Sequence, residues 1–346
     1  MIYTKLPNTD ISVSKICLGT MTFGKQNSEN ESHSQIDFSL DRGINFLDTA
    51  ELYPVPADNS TYGDTERIIG SWIKKSRKRE KIVLASKIVG PGSYTAHIRK
   101  KNHFSPNNLR RALEKSLERL KTDYLDLYQL HWPERQTNNF GIRGYKFSPS
   151  EDIWTDNFEE ILITLNDLIK EGKIRSIGLS NENPWGIMRF LNLAKKGLPK
   201  IITVQNPYNL LNRLFEVGTA ELCMRERVGL LAYSPLAFGR LTGKYRKGQM
   251  PEKSRFKLFP NLARFSGEKS INATEEYYEI ANTFGLSLTE MAVSFVNSKE
   301  FVTSNIIGAT NLNQLSENIN SINKSLSTEI LTSIDKVYTK YPDPAP

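Results

Sequence analysis

The sequence predicts an α/β fold, a (β/α)₈ TIM barrel with an N-terminal β-hairpin and long loops on the C-terminal face. Three observations predict it. Eight short apolar runs, at 15–18, 44–47, 82–85, 124–130, 174–179, 201–204, 229–232 and 304–307, have the 4–7 residue length of buried parallel strands. They alternate with amphipathic stretches at 31–42, 65–75, 107–120, 158–171, 184–196, 216–227, 273–284 and 312–322. A doubly wound open sheet, the rival reading, normally carries G-x-G-x-x-G, and that fingerprint is absent.

Each part of this reading has its own warrant. Residues 3–6 and 11–13 flank the turn-rich Pro7-Asn8-Thr9-Asp10 and read as a hairpin that plugs the N-terminal mouth. In 107–120, Leu109, Ala112, Leu113, Ser116, Leu117 and Leu120 show helical i, i+3, i+4 spacing. Two long segments, 134–156 and 238–272, follow strands and therefore belong to the C-terminal face. The first carries Phe140, Tyr145, Phe147 and Trp154, which favours a functional lid.

Composition narrows the function classes. The 346 residues are 38% hydrophobic and 24% charged, enough for a real core, and a single domain spanning 1–346 is expected. No apolar run approaches the roughly 18–20 residues that cross a bilayer, and residues 1–10 lack a signal pattern. Two cysteines, Cys17 and Cys223, make no disulfide framework and fit a reducing, cytoplasmic setting. The net charge of +8 is mild, and it leaves the oligomeric state open. The basic run Lys74-Lys75-Ser76-Arg77-Lys78-Arg79 lacks interleaved aromatics, so it reads as a solvated helix end and no nucleic-acid partner is expected. Gly239-Arg240-Leu241-Thr242-Gly243-Lys244 only superficially resembles a P-loop: one spacer residue is missing, and Tyr245 stands where Ser or Thr is needed. His33, His97 and His103 show no metal-ligand spacing, and no metal is expected.

Charge at the end of an apolar strand is unusual, because it must be paired. Asp48, Lys87 and His131 each end such a run, and Tyr53 lies just past Asp48. In a barrel these ends converge on one mouth. A lysine ammonium beside a phenol lowers the tyrosine pKa from about 10, and a carboxylate would balance the ammonium. A phenol so tuned can protonate a developing alkoxide, with His131 orienting the carbonyl. No side chain donates hydride, so carbonyl reduction requires a nicotinamide cofactor.

Asp48-Thr49-Ala50-Glu51-Leu52-Tyr53, followed by Lys87 and His131, resembles the catalytic tetrad of the aldo-keto reductases. The likeness extends through Leu18-Gly19-Thr20-Met21-Thr22-Phe23-Gly24, Gly178-Leu179-Ser180-Asn181, Gln205-Asn206-Pro207-Tyr208-Asn209 and Tyr233-Ser234-Pro235-Leu236-Ala237. Glu51-Leu52-Tyr53-Pro54-Val55-Pro56 and His131-Trp132-Pro133 are most similar to its bacterial Tas-like branch. The resemblance implies NADP(H) as cofactor and a small carbonyl compound as substrate. It implies that Gly19, Thr20, Met21 and Asp48 face the cofactor and that Ser180, Asn181 and Gln205 hold the carboxamide. Tyr233 would stack on the nicotinamide, while Ser234, Pro235, Leu236, Ala237 and Gly239 meet the pyrophosphate. Lys244, Ser254 and Arg255 would meet the 2′-phosphate, and Gly308, Thr310, Gln314, Glu317 and Asn318 the adenosine end. A 2′-phosphate wants a guanidinium or ammonium, so Lys244 and Arg255 argue for NADP(H) over NAD(H). Trp132 and Trp154 are assigned to the substrate pocket beside Tyr53 and His131, and no role is carried onto Phe238.

Other readings stand beside this one. Asp48 and Lys87 alone would read as a structural ion pair, and a lone His131 as a core histidine. The fold also serves NADPH-binding regulatory proteins with little turnover, such as potassium-channel β subunits. Schiff-base aldolases use barrel lysines as well, which would cast Lys87 as a nucleophile. The segments matching cofactor contacts favour the reductase.

Overall fold

The computed structural model describes residues 1–148, 150, 152, 154–262 and 264–346. The chain opens with β1 (Tyr3–Lys5) and β2 (Ser12–Ser14), an antiparallel pair with Tyr3 opposite Ser14. Leu6, Ile11 and Val13 from this hairpin are buried against Cys17, Phe46, Val83 and Leu127, so it closes the N-terminal mouth as predicted.

The barrel strands are β3 (Ile16–Gly19), β4 (Phe46–Asp48), β5 (Val83–Ile88), β6 (Leu127–Leu130), β7 (Ile177–Ser180), β8 (Thr203–Pro207), β9 (Gly229–Tyr233) and β10 (Val302–Ile307). All pair in parallel, and β10 closes on β3, which makes a closed (β/α)₈ barrel. The first helices are α1 (Glu29–Asp41), α2 (Asp64–Ser76), α3 (Pro106–Leu120), α4 (Phe158–Lys170), α5 (Pro184–Ala194) and α6 (Thr219–Glu226). They are followed by α7 (Arg255–Leu258), α8 (Glu268–Thr283), α9 (Leu288–Asn297), α10 (Leu312–Asn320) and α11 (Thr328–Lys340).

The period-2 alternation of each strand divides the apolar side chains between two layers. Leu18, Leu47, Leu84, Leu130, Leu179 and Leu230 face outward and pack with Ile36, Ile69, Leu113, Leu165 and Leu191 of the helices. Cys17, Phe46, Ala85, Leu127, Leu231 and Ile306 point inward and fill the barrel.

The observed strands run one to three residues further toward their C-terminal ends than most of the apolar runs. The reason is physical. An apolar run stops at the first polar residue, whereas the backbone ladder continues through Asp48, Lys87, Ser180 and Gln205, whose side chains enter the barrel mouth. The predicted run 124–130 shortens to β6, with Leu125 making only an isolated bridge to Ile174. Three helices escaped the sequence reading, the short α7 together with α9 and α11, because the eight-unit rhythm was already filled. The α9 start was nonetheless written in Ser287-x-x-Glu290. The Ser287 hydroxyl accepts from Glu290 N at 3.0 Å, and the Glu290 carboxylate accepts from Ser287 N at 2.9 Å. Segment 238–272 is not one loop but contains α7 and the first turn of α8. Among the described residues no helix is long and apolar enough to cross a membrane.

Lys15, just before β3, is buried with no carboxylate partner among the described residues; its ammonium donates to the Val302 carbonyl. Burial lowers its pKa to about 8 from 10.5. The unfolded chain therefore binds more protons than the folded one between those values, and stability rises with pH across that window. In denaturant unfolding, the native protein should gain about 1–3 kcal/mol relative to Lys15→Met between pH 8 and 10. A constant difference across that range would show that Lys15 does not titrate there.

Candidate active site

The inward-facing positions one layer above the apolar barrel core are polar. Asp48 lies two residues beyond Phe46, Lys87 two beyond Ala85, and Gln129 two beyond Leu127. Their side chains meet. Lys87 Nζ donates to Asp48 Oδ2 at 2.6 Å and to the Thr49 carbonyl at 2.8 Å. Asp48 Oδ1 accepts from Gln205 Nε2 at 2.9 Å and Gln129 Nε2 at 3.2 Å. Lys87 is wholly enclosed and Asp48 nearly so.

Tyr53 sits on the loop leaving β4. Glu51 N donates to the Lys87 carbonyl at 3.1 Å and Tyr53 N to the Ala50 carbonyl at 3.1 Å, folding the loop back over the strand ends. The Tyr53 hydroxyl then lies 3.4 Å from Lys87 Nζ. The His131 ring follows β6 directly and stands edge-on to Tyr53, with centroids 5.8 Å apart. The structure thus brings all four strand-end residues together.

Burial and charge act in opposite senses on this group. Burial raises the Tyr53 phenol above its ordinary value, and Lys87 offsets only part of that. This corrects the sequence expectation of a lowered pKa: desolvation outweighs the ammonium, so the phenol holds its proton at neutral pH. Burial alone would depress Lys87, but Asp48 and Tyr53 more than offset it and the ammonium is retained. Burial, aided by Lys87, holds His131 well below the usual imidazole value, so its ring is neutral; Nδ1 is buried without a partner among the described residues.

These groups open into a cleft of about 1720 Å³, beyond the range of about 300–1,000 Å³ typical of drug-sized ligands. Its lining includes Gly19, Thr20, Met21, Asp48, Tyr53, His131 and Trp132. It also includes Ser180, Asn181, Gln205, Tyr233, Ser234, Pro235, Leu236 and Gly239. Lys244, Ser254, Arg255, Gly308, Thr310, Gln314, Glu317 and Asn318 line it as well. Three of the assigned residues stand apart. Lys87 lies beneath the surface, Ala237 is fully buried, and Trp154 lines a neighbouring groove, where it packs on Phe158 and Trp185.

Several of the lining side chains are held by one another. The Tyr233 hydroxyl donates to Asn181 Oδ1 at 2.7 Å, and Asn181 Nδ2 donates to the His131 carbonyl at 2.9 Å. Asn181 and Ser234 have φ of 54° and 57°, so the chain turns sharply at both strand exits. The Gln314 side-chain carbonyl accepts from Thr310 N at 3.0 Å, and the Glu317 carboxylate accepts from the Ser287 hydroxyl at 2.7 Å. Lys244 and Arg255 are both held below their ordinary pKa, chiefly by burial, and Arg255 adds to the effect on Lys244. Neither has a carboxylate partner among the described residues.

A sequence model of the Aldo/keto reductase family matches residues 15–339. The chain belongs to the aldo/keto reductase family. It is 47% identical to Protein tas of Escherichia coli over the full length of both chains. It is 39% identical to an aldo-keto reductase of Babesia bovis, across 76% of this chain and 98% of that one. It is 32% identical to the uncharacterized oxidoreductase YrpG of Bacillus subtilis, across 98% of this chain and 96% of that one. This aldo/keto reductase is therefore an oxidoreductase of the Tas-like branch, and its family uses nicotinamide cofactors.

The sequence reading missed Gln129 and Tyr94. Gln129 was legible, since it lies in β6 two residues before His131. Tyr94 was not, and Phe140 had been read as a lid aromatic without its partner. They come from different loops and meet Trp132 at centroid distances of 5.5 and 5.9 Å, which no local pattern announces.

The ion pair allows a direct stability test. Lys87→Met leaves the Asp48 charge buried without its counter-ion and should cost about 3–5 kcal/mol in urea unfolding. Adding Asp48→Asn should restore most of the loss, because Gln129 and Gln205 still find an acceptor. No recovery in the double variant would show that the pair's charge is not what the barrel mouth must balance.

Proposed function

We propose that this protein is an NADPH-dependent reductase of aldehydes or ketones, with residues 1–346 acting as one domain. The observation that carries the reading is the meeting of the Tyr53 phenol, the Lys87 ammonium and the His131 imidazole in the wall of a cleft of about 1720 Å³.

The residues fit the cofactor. Lys244 and Arg255 are two partly buried cations with no carboxylate partner among the described residues, so an anionic group there relieves their mutual repulsion. They would hold the 2′-phosphate together with Ser254. Ser180, Asn181 and Gln205 would hold the carboxamide, and Tyr233 would stack on the ring. Ser234, Pro235, Leu236, Ala237 and Gly239 would meet the pyrophosphate, and Gly308, Thr310, Gln314, Glu317 and Asn318 the adenosine end. When bound, the cofactor supplies the hydride that no side chain can supply.

The chain's own residues would manage the oxygen. Neutral His131 has one ring N–H to donate and orients the carbonyl. Tyr53 gives its phenolic proton to the oxygen as negative charge develops there. The resulting phenolate is stabilised by the Lys87 ammonium 3.4 Å away. Asp48, Gln129 and Gln205 keep that ammonium in place.

Tyr53→Phe should lower kcat for carbonyl reduction by about 10²–10⁴-fold while NADPH still binds. Wild-type turnover in a steady-state assay of that variant would remove Tyr53 from the proton step. Arg255→Ala should weaken NADPH by about 10-fold or more in a fluorescence titration and leave NADH unaffected. Equal losses for both dinucleotides would refute the 2′-phosphate assignment.

A further inference from the structure

The loop that carries Tyr53 is held by a buried carboxylate that the tetrad does not contain. Glu51 is fully enclosed, and its Oε1 accepts from Val89 N at 2.8 Å. Arg99, from the loop after β5, donates Nη2 to Oε1 at 2.7 Å and Nη1 to Oε2 at 2.8 Å. The backbone around it follows a ladder. Thr49 N donates to the Ala85 carbonyl at 2.9 Å and Glu51 N to the Lys87 carbonyl at 3.1 Å. Past Asp48 the β4 strand has ended, yet the next rung, Val89 N, is taken by the Glu51 side chain. A carboxylate here therefore extends the β4–β5 pairing to the residues flanking Tyr53 and Lys87.

We propose that the Glu51–Arg99 pair is a positioning device for the reaction: it fixes the loop bearing Tyr53 against the strand bearing Lys87 and so sets the contact between phenol and ammonium. This rests on the reading of Tyr53 as the proton donor. The argument is geometric. A bidentate guanidinium fork constrains the carboxylate in plane and direction, which a single ammonium does not. Packing alone would be served by an apolar side chain of similar volume, so a buried ion pair two residues from the phenol needs another reason. The phenol and the ammonium meet at 3.4 Å, and a shift of about 1 Å in the loop would break that contact.

The test is Arg99→Lys, which keeps the charge and loses the fork. Arg79→Lys is the control, since Arg79 makes a comparable buried pair with Asp126 at 2.9 Å beside the start of β5, away from Tyr53. In Arg99→Lys, kcat should fall by about 10–100-fold with KM and NADPH affinity nearly unchanged. The alkaline limb of its kcat profile should move to higher pH, because the phenol loses part of the help of Lys87. Amide exchange should quicken over residues 49–57. Arg79→Lys should show none of these changes.

Unchanged kcat and pH limb in Arg99→Lys, with Tyr53→Phe inactive, would overturn the proposal, whatever the exchange rates. Equal losses in Arg79→Lys would overturn it too, by making the effect a general loosening. Should Tyr53→Phe remain active, the proton-donor reading fails. Quickened exchange over 49–57 confined to Arg99→Lys would then still uphold the loop anchor, and unchanged exchange would overturn it.

Discussion

The arrangement of the barrel mouth depends on one interaction, the enclosed ion pair between Lys87 and Asp48. A wholly enclosed ammonium is costly unless it is paired, and the paired carboxylate needs its own remaining lone pairs satisfied. That second requirement brings in Gln129 and Gln205 from two further strands. A polar layer contributed by β4, β5, β6 and β8 thus replaces the apolar layer immediately below it. The closed barrel makes this possible, because its pleat delivers alternate residues of every strand to the same interior.

The electrostatics of the cleft differ among its lining residues. The Lys87 ammonium is balanced by Asp48, while burial is what keeps the phenol protonated and the imidazole neutral. Lys244 and Arg255 have no carboxylate partner among the described residues, and burial lowers both. A cleft with one paired cation and two unpaired among those residues suits an anionic ligand.

The loops follow the same economy as the strands. The segments leaving β4 and β5 are tied by Arg99 and Glu51, and those leaving β6 and β7 by Arg135 and Glu182, each a buried guanidinium–carboxylate fork. The Arg135–Glu182 pair is 2.5 Å at its shorter contact and lies beside Asn181. Long irregular segments are thereby anchored to the barrel, and Tyr53 on a loop is held 3.4 Å from Lys87 on a strand.

The sequence by itself determined the fold class, the hairpin plug and the four polar residues at the strand ends. The reason is that these are local signals: period-2 and period-3.6 hydrophobicity, and polar residues where apolar runs stop. Gln129 belonged to the same signal, two residues before His131, and Ser287-x-x-Glu290 announced α9. What only the tertiary structure decided were relations between segments distant in the chain. The Tyr53 phenol is raised rather than lowered because enclosure by surrounding elements outweighs one neighbouring charge, and enclosure has no sequence pattern. Tyr94 and Phe140 reach Trp132 from separate loops, while Trp154, from the same long segment as Phe140, turns instead to Phe158 and Trp185. Loop paths are set by contacts made after the barrel has closed, so residue type and spacing do not encode them.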